Sequence, residues 1–307
     1  MKQIVINKND AGQRLDKFLT KYLVNLPQSM LYKSLRKNCV RVNGKHVRDG
    51  SFMLNENDVL SLYMSDEFFP VTDFTAGSSD IDIVYEDENI ILINKPSGTV
   101  VHADDRGTED TLLSRMQSYL YEKGEYDPKS EQSFAPAFCN RLDRNTSGLI
   151  IGAKNAAALR IINEKIRNRE IRKFYMCIAE GEMSGSGELS AHLTRGNKKV
   201  SVMDTKTDGS KPIKLKYSVL KTKNNLSLLE IELETGRTHQ IRAQLAAQGH
   251  PLSGDRKYGA KNSGKMFLTS YKLKFDFISD ADILNYLSGK EFQIKASFCQ
   301  SFEAEKL

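Results

Sequence analysis

Residues 140–155 read NRLDRNTSGLIIGAKN, a charged loop that runs without a break into the apolar stretch GLIIGAK at 148–154. An apolar run of that length, bounded by Gly and Lys, reads as a buried strand. The next segment, NAAALRIINEKIRNRE (155–170), places Ala156, Leu159, Ile162 and Ile166 on one face of a helix. Further along, KFYMCIAEGE (173–182), IKLKYSVL (213–220) and LSLLEIELE (226–234) alternate as half-buried strands, and HQIRAQLAAQG (239–249) is a helix stopped by Gly249. Upstream, DIDIVYEDENIILINKP (80–96) reads as two short strands around an acidic turn at 86–88. Strands dominate and helices are interspersed without a regular βαβ rhythm. The fold class is therefore a mixed α+β body with a mainly antiparallel sheet.

The N-terminal part reads differently. RLDKFLTKYLVNLPQSMLYKSLRK (14–37) has Leu15, Phe18, Leu19 and Tyr22 at helical spacing, then Met30, Leu31 and Leu35 after Pro27, which predicts two short helices with Ser29 as the second N-cap. CVRVNGKHV (39–47) follows, and its Asn43-Gly44 pair predicts a tight hairpin. Residues 1–64 hold 11 Lys and Arg against 5 Asp and Glu, which leaves 34 of each in the remainder. All the excess charge of this +6 chain is N-terminal. A compact basic segment beside a neutral body fits a module that finds polyanions, although a solvated basic face without a partner fits the charge count as well. DEFFPVTDFTAGSS (66–79) loses periodicity and reads as a linker, so the expected domains are 1–75 and 76–307.

With 307 residues, 39% apolar and 27% charged, the chain has an ordinary globular composition, and disordered, collagen-like and fibrous readings drop out. No window carries enough apolar residues for a membrane span, and the first residues show no secretory signal, so the cytoplasm is the expected location. Four dispersed cysteines, Cys39, Cys139, Cys177 and Cys299, argue against a disulfide framework or a zinc site and read as buried free thiols.

Three polar clusters could carry chemistry. In the 140–147 loop, Asp143 lies between Arg141 and Arg144, whose charges would keep its carboxylate ionised and nucleophilic; an Arg–Asp salt bridge with Thr146 and Ser147 capping a turn suits the same residues. In KFYMCIAEGE, Lys173 and Tyr175 share one strand face. In ETGRTHQIRAQLAAQGHPLSGDRKYG (234–259), Arg237 sits at a strand-to-helix junction. His239 and His250 have no carboxylate or cysteine placed to complete a ligand set, so no metal is expected.

The stretch from Gln13 to about Tyr63 resembles the S4 RNA-binding domain. NKPSG (94–98), Val101-His102, RLDRNTSG, KFYMCIAEG and GRTHQIRAQLAAQGHPLSGDRKYG occur in the order and approximate spacing of the RluA-type pseudouridine synthases, over residues 80–277. The resemblance implies Asp143 as the catalytic aspartate, Tyr175 as the tyrosine that stacks on the target base and accepts the C5 proton, and Arg237 as the arginine paired with the aspartate. Arg141 and Thr146 would shape the aspartate loop. Lys33, Arg36, Lys37, Arg41 and Lys45, with Arg48, would grip phosphates. The implied substrate is structured RNA, 23S ribosomal RNA first and transfer RNA second, and the expected state is a monomer. Exchanging an N1–C1′ bond for a C5–C1′ bond involves no net oxidation or hydrolysis, so no cofactor is expected. Two positions depart from the family pattern: Asn140 stands where many members have His, and Thr269-Ser270 replaces a common Leu-His-Ala stretch. A non-catalytic RNA-binding or ribosome-assembly protein is the alternative. A glycoside hydrolase would need a second carboxylate about 5–10 Å from the first, and RLDRNTSG offers only one.

Overall fold

The computed structural model describes residues 1–69, 76–103, 107–196 and 199–303. Residues 70–75 of the expected linker, with the boundary placed at 75, lie outside the described residues. The chain divides into two compact units, one made of 1–79 with 116–136 and 154–157, the other of 80–115, 137–153 and 158–307.

The first unit opens with β1 (Lys2–Val5), α1 (Leu15–Tyr22) and α2 (Gln28–Arg36), followed by β2 (Val40–Val42), β3 (Lys45–His46) and β4 (Val59–Leu62). Its sheet has the order β1-β4-β2-β3. Leu15, Phe18, Leu19 and Tyr22 are buried in its core, as their spacing predicts, together with Leu31 and Leu35, whereas Met30 is exposed. Asn43 and Gly44 both take positive φ, 50° and 77°, the turn geometry that matches strand twist in a tight hairpin. Ser29 is not the cap of α2. Pro27 occupies that position, with φ already near the helical value, and its carbonyl accepts the Met30 and Leu31 amides.

The second unit carries β5 (Ile83–Glu86) and β6 (Ile90–Lys95). Next comes α3 (Leu112–Glu122), whose later residues belong to the first unit, and then β7 (Ala137–Phe138), β8 (Ser147–Ala153) and α4 (Ala156–Arg167). The chain continues through β9 (Ile171–Glu180), β10 (Ser186–Arg195), β11 (Val200–Met203), β12 (Lys211–Lys223), β13 (Leu226–Leu233) and α5 (Gln240–Ala247), and ends with β14 (Leu268–Phe275), β15 (Glu291–Gln293) and α6 (Ser297–Glu303). One sheet runs β11-β10-β12-β13-β9-β14-β8-β6-β5, with β15 added to β14 and β7 to β8. Every pairing in it is antiparallel except β14 with β8. The mixed, mainly antiparallel α+β class read from the sequence is the observed one. The helix α3 escaped that reading although Thr111 and Ser114 cap its start reciprocally through backbone amide and hydroxyl, and Leu112, Met116 and Leu120 are buried at helical spacing. Of the four cysteines only Cys177 is fully buried; the others are half-buried, so the expectation of burial holds for one. No helix among the described residues is long and apolar enough to cross a membrane.

The parallel β14–β8 contact aligns Thr269 with Ser147 and Ser270 with Gly148. Gly148 has φ +110°, and a Cβ there would lie 2.2 Å from the Ser270 carbonyl oxygen. Only glycine permits this approach, which fixes the end of the 140–147 loop against the centre of the sheet.

A buried ion pair ties the end of α4 to the segment after β14. Lys165 Nζ lies 2.8 Å from Glu170 and also donates to the Ser279 carbonyl and hydroxyl, while Glu170 accepts the Ile278 and Ser279 amides. Burial alone would raise the Glu170 pKa, but Lys165 and the two amides hold it down at about 2. The stabilisation is therefore fully present above the ordinary value of 4.5 and is lost as pH falls toward 2. Glu170→Gln leaves Lys165 buried without its counter-ion and should cost about 3 kcal/mol at pH 7. In urea titrations the gap to wild type should narrow below pH 4.5, since the wild-type carboxyl is then protonated in the unfolded state; a gap unchanged down to pH 2 would remove Glu170 ionisation from the stability of the unit.

Candidate active site

The 140–147 loop leads into β8, and Asp143 closes a turn in which its carbonyl accepts the Thr146 amide at 3.0 Å. The NKPSG segment, which closes β6 and continues beyond it, holds this loop in place. Lys95, fully buried, donates to the carbonyls of Pro96, Thr99 and Arg144 at 3.0, 2.8 and 3.0 Å, the Gly98 amide adds a bond to Arg144, and Ser97 Oγ donates to the Asn145 carbonyl. Burial pushes the Lys95 pKa down to about 8, against the pull of the Asp143 charge.

The Asp143 carboxylate faces α5. Arg242 Nη1 lies 3.4 Å from its Oδ2, and His239 Nε2 lies 3.6 Å from the same oxygen. Arg242 is itself clamped: its Nε and Nη2 donate to the two oxygens of buried Asp255 at 2.6 and 2.8 Å, and its guanidinium lies over the Tyr258 ring at 5.0 Å. This two-pronged bond aims the remaining nitrogen at Asp143. Tyr258 also meets His239 Nδ1 through its hydroxyl at 2.9 Å. His239 takes left-handed φ, 54°, at the start of α5, and burial holds its pKa below the usual value in spite of the Asp143 charge, so it is neutral at pH 7.

The arginine beside Asp143 is thus Arg242, not Arg237, and neither Arg141 nor Arg144 forms an ion pair with it among the described residues. Arg237 does sit at the strand-to-helix junction, where its amide donates to Gln240 Oε1, but its side chain is exposed and lines the rim of the cavity. The reason lies in the helix. Arg242 lies within the run Gln240–Leu245, all of it buried, and an arginine there persists only when paired. The signal was present in the sequence as GDRKYG, whose Asp255 supplies the pair.

The cavity encloses about 480 Å³. Asp143, Arg141, Thr146, Tyr175 and Arg237 all line it beside Arg242, so the structure brings the sequence-nominated residues of this unit together. Thr146 is buried, while Arg141 is exposed. Tyr175 projects from β9 and is almost entirely buried; burial, reinforced by the Asp143 charge, pushes its hydroxyl up to about 12. His250 bonds to the Glu180 carbonyl rather than approaching His239, and no group of three potential metal ligands exists among the described residues. The two departures from the family pattern have structural uses here: Asn140 Oδ1 accepts the Ile151 amide, and Thr269 Oγ1 lies 2.8 Å from Ser147 Oγ.

In the first unit, Lys33, Arg36 and Lys37 are exposed on one side of α2 and its end, and Lys45 is exposed on the hairpin; none forms an ion pair among the described residues. Arg41 is half-buried, with its guanidinium 5.1 Å from the Tyr63 ring.

A carboxylate aimed by a clamped guanidinium, in a cavity where lysines and arginines outnumber carboxylates, is the site of an enzyme that acts on an anionic substrate. Residues 89–247 match the family described as RNA pseudouridylate synthase, and residues 13–60 match the S4 domain. A Mycoplasma capricolum protein named as an uncharacterized RNA pseudouridine synthase is 33% identical over 298 residues, 94% of this chain and 96% of that protein. The ribosomal large subunit pseudouridine synthase C of Haemophilus influenzae is 27% identical over 317 residues, 96% of this chain and 94% of its own. In fold the chain is similar to human RNA pseudouridylate synthase domain containing 4, with a TM-score of 0.57 at 18% identity, covering 74% of this chain and 92% of that one. The chain belongs to the RNA pseudouridylate synthase family. It is an RNA pseudouridine synthase with an N-terminal S4 domain.

Proposed function

We propose that this enzyme isomerises specific uridines of 23S ribosomal RNA in the cytoplasm, with Asp143 as the carboxylate that releases the uracil. The observation that carries the reading is the Asp143 carboxylate, presented to the cavity by Arg242, which Asp255 fixes in turn. The uridine must leave its stack to reach that carboxylate, and stacking on Tyr175 together with phosphate contacts offsets the few kcal/mol of eversion. Asp143 then attacks the sugar or assists departure as the N1–C1′ bond breaks, the freed uracil turns, and C5 joins C1′. The C5 proton must leave and N1 must gain one. With its hydroxyl pushed up to about 12, Tyr175 enters the reaction as a neutral phenol, which favours water as the acceptor and leaves Tyr175 to hold the base. Arg237 and Arg141, exposed and without an ion pair among the described residues, suit the flanking backbone.

Large ribosomal RNA is favoured over transfer RNA by the names of relatives similar along nearly the whole chain. The test is to map pseudouridines in ribosomal and transfer RNA from cells lacking the gene, then to restore the missing ones with purified protein. Loss confined to transfer RNA would replace the proposed substrate.

The exposed cations of α2 give a separate expectation. Lys33→Ala, Arg36→Ala and Lys37→Ala combined should weaken RNA binding roughly 10- to 100-fold at low salt and reduce the slope of log affinity against log salt by about 2. Binding that keeps its affinity and slope across several salt concentrations would take this face out of the RNA contact.

A further inference from the structure

Lys173 stands two residues from Tyr175 on β9, so both side chains face the cavity, about 6.7 Å apart along the strand. It is nine-tenths buried. Its ammonium reaches toward the turn that carries Arg237, since a Cβ on Gly236 would lie 3.7 Å from Nζ. Among the described residues it has neither a hydrogen bond nor an ion pair.

The surrounding charges make that isolation costly. Six Lys and Arg residues line the cavity against two carboxylates, Asp143 and Glu234. Asp143 is engaged by Arg242 and His239. Glu234 already serves Arg169, Lys214 and Lys216, at 3.6, 3.6 and 3.1 Å. Burial depresses the Lys173 pKa with no acidic neighbour to offset it. An ammonium that keeps only the water of the cavity and has no counter-ion destabilises the free protein, whereas a methionine of similar length would fill the same space at no such cost.

We propose that Lys173 is a substrate-binding residue whose counter-ion arrives with the RNA: a phosphodiester directly flanking the uridine whose base lies on Tyr175. The inference rests on the pseudouridine synthase reading and adds to it which group of the substrate enters beneath the Gly236–Arg237 turn. Two residues along a strand match the separation between a nucleobase and the phosphate of its own nucleotide. The bond also exists only when the nucleotide is everted, because a phosphate of stacked RNA does not enter the cavity. Binding energy from Lys173 is thus directed to the everted state rather than to general adhesion, which the exposed cations supply.

The experiment pairs a protein change with a substrate change. Short target RNAs carrying one uncharged methylphosphonate linkage, on the 5′ or the 3′ side of the uridine, are compared with the natural RNA for affinity and single-turnover rate, using wild type and Lys173→Met. For wild type, one of the two linkages should lower kcat/KM roughly 10- to 100-fold. K173M should lose about as much on natural RNA, yet lose less than about threefold more when that linkage is neutralised. Lys173→Arg, which keeps the charge, should keep the linkage penalty. K173M should be no less stable than wild type to urea; should it fail to fold, Lys173→Gln carries the same comparison. Penalties that multiply independently at both linkages would overturn the assignment, as would a wild type indifferent to both. Absence of pseudouridine from wild type with natural RNA is a different failure, that of the underlying reading, and the affinity measurements still decide the role of Lys173 in that case.

Discussion

Asp143→Asn should abolish isomerisation, lowering the single-turnover rate by at least about 10⁴-fold, while RNA affinity stays within a few-fold of wild type. The two halves of this expectation have different physical origins. The amide has the shape of the carboxylate but neither its charge nor its nucleophilicity, and no second carboxylate of the cavity is free, because Glu234 is held by three cations. Binding survives because the cavity does not depend on Asp143 for its shape. Lys95 fixes the loop through three backbone carbonyls, and Asp255 keeps both of its bonds to Arg242. Arg237→Gln makes a useful companion measurement: its side chain stands at the rim, so its loss should fall on KM more than on the rate of chemistry. Full turnover by D143N would remove Asp143 from the mechanism.

Gly148→Ala should be the most damaging small substitution in the second unit. The backbone there has φ +110°, which an L side chain rarely adopts, and the added methyl would meet the Ser270 carbonyl oxygen at 2.2 Å. Backbone strain of about 1–3 kcal/mol and a comparable steric cost add to a loss of roughly 2–6 kcal/mol. For a unit of this size that lowers the melting temperature by on the order of 5–20 °C. Gly209 is the control: it also has positive φ, +72°, but a Cβ there meets nothing within 4 Å, so Gly209→Ala should cost only about 1–2 kcal/mol. Equal melting temperatures for the two variants would show that β8 and β14 part easily. The activity of G148A should fall further than its stability alone explains, because the displaced strand end carries Ser147 and, through it, the Asp143 turn.

The frame of the fold could be read from local pattern, since alternation in 213–220 and 226–234 and the Asn43-Gly44 pair are statements about neighbouring residues. Sheet order could not, because β9 lies between β13 and β14, strands far from it in sequence, and the one parallel pairing depends on a glycine whose partner is more than a hundred residues away. The same limit explains the arginine. Arg141 and Arg144 adjoin Asp143 along the chain, and Arg237 stands in an exposed turn, so all three attract attention. Arg242 hides in a helix buried along its first six residues, and its significance comes from Asp255 and Tyr258, which only folding brings to it. The shared cavity of Asp143 and Tyr175 is what the family resemblance implies; the ammonium of Lys173 without a counter-ion is a property of the folded cavity alone, where both carboxylates face other cations.

Arg242 divides its guanidinium unequally, with two nitrogens on Asp255 and one toward Asp143. If Asp143 becomes esterified to a sugar, its negative charge vanishes midway through the cycle, and an arginine that relied on it would be stranded. Here the arginine stays neutralised throughout, so intermediate and resting enzyme can share one rigid scaffold. That insensitivity also makes a neutral side chain at position 143 a natural snare for the unreacted nucleotide, caught in a pocket already in its working form.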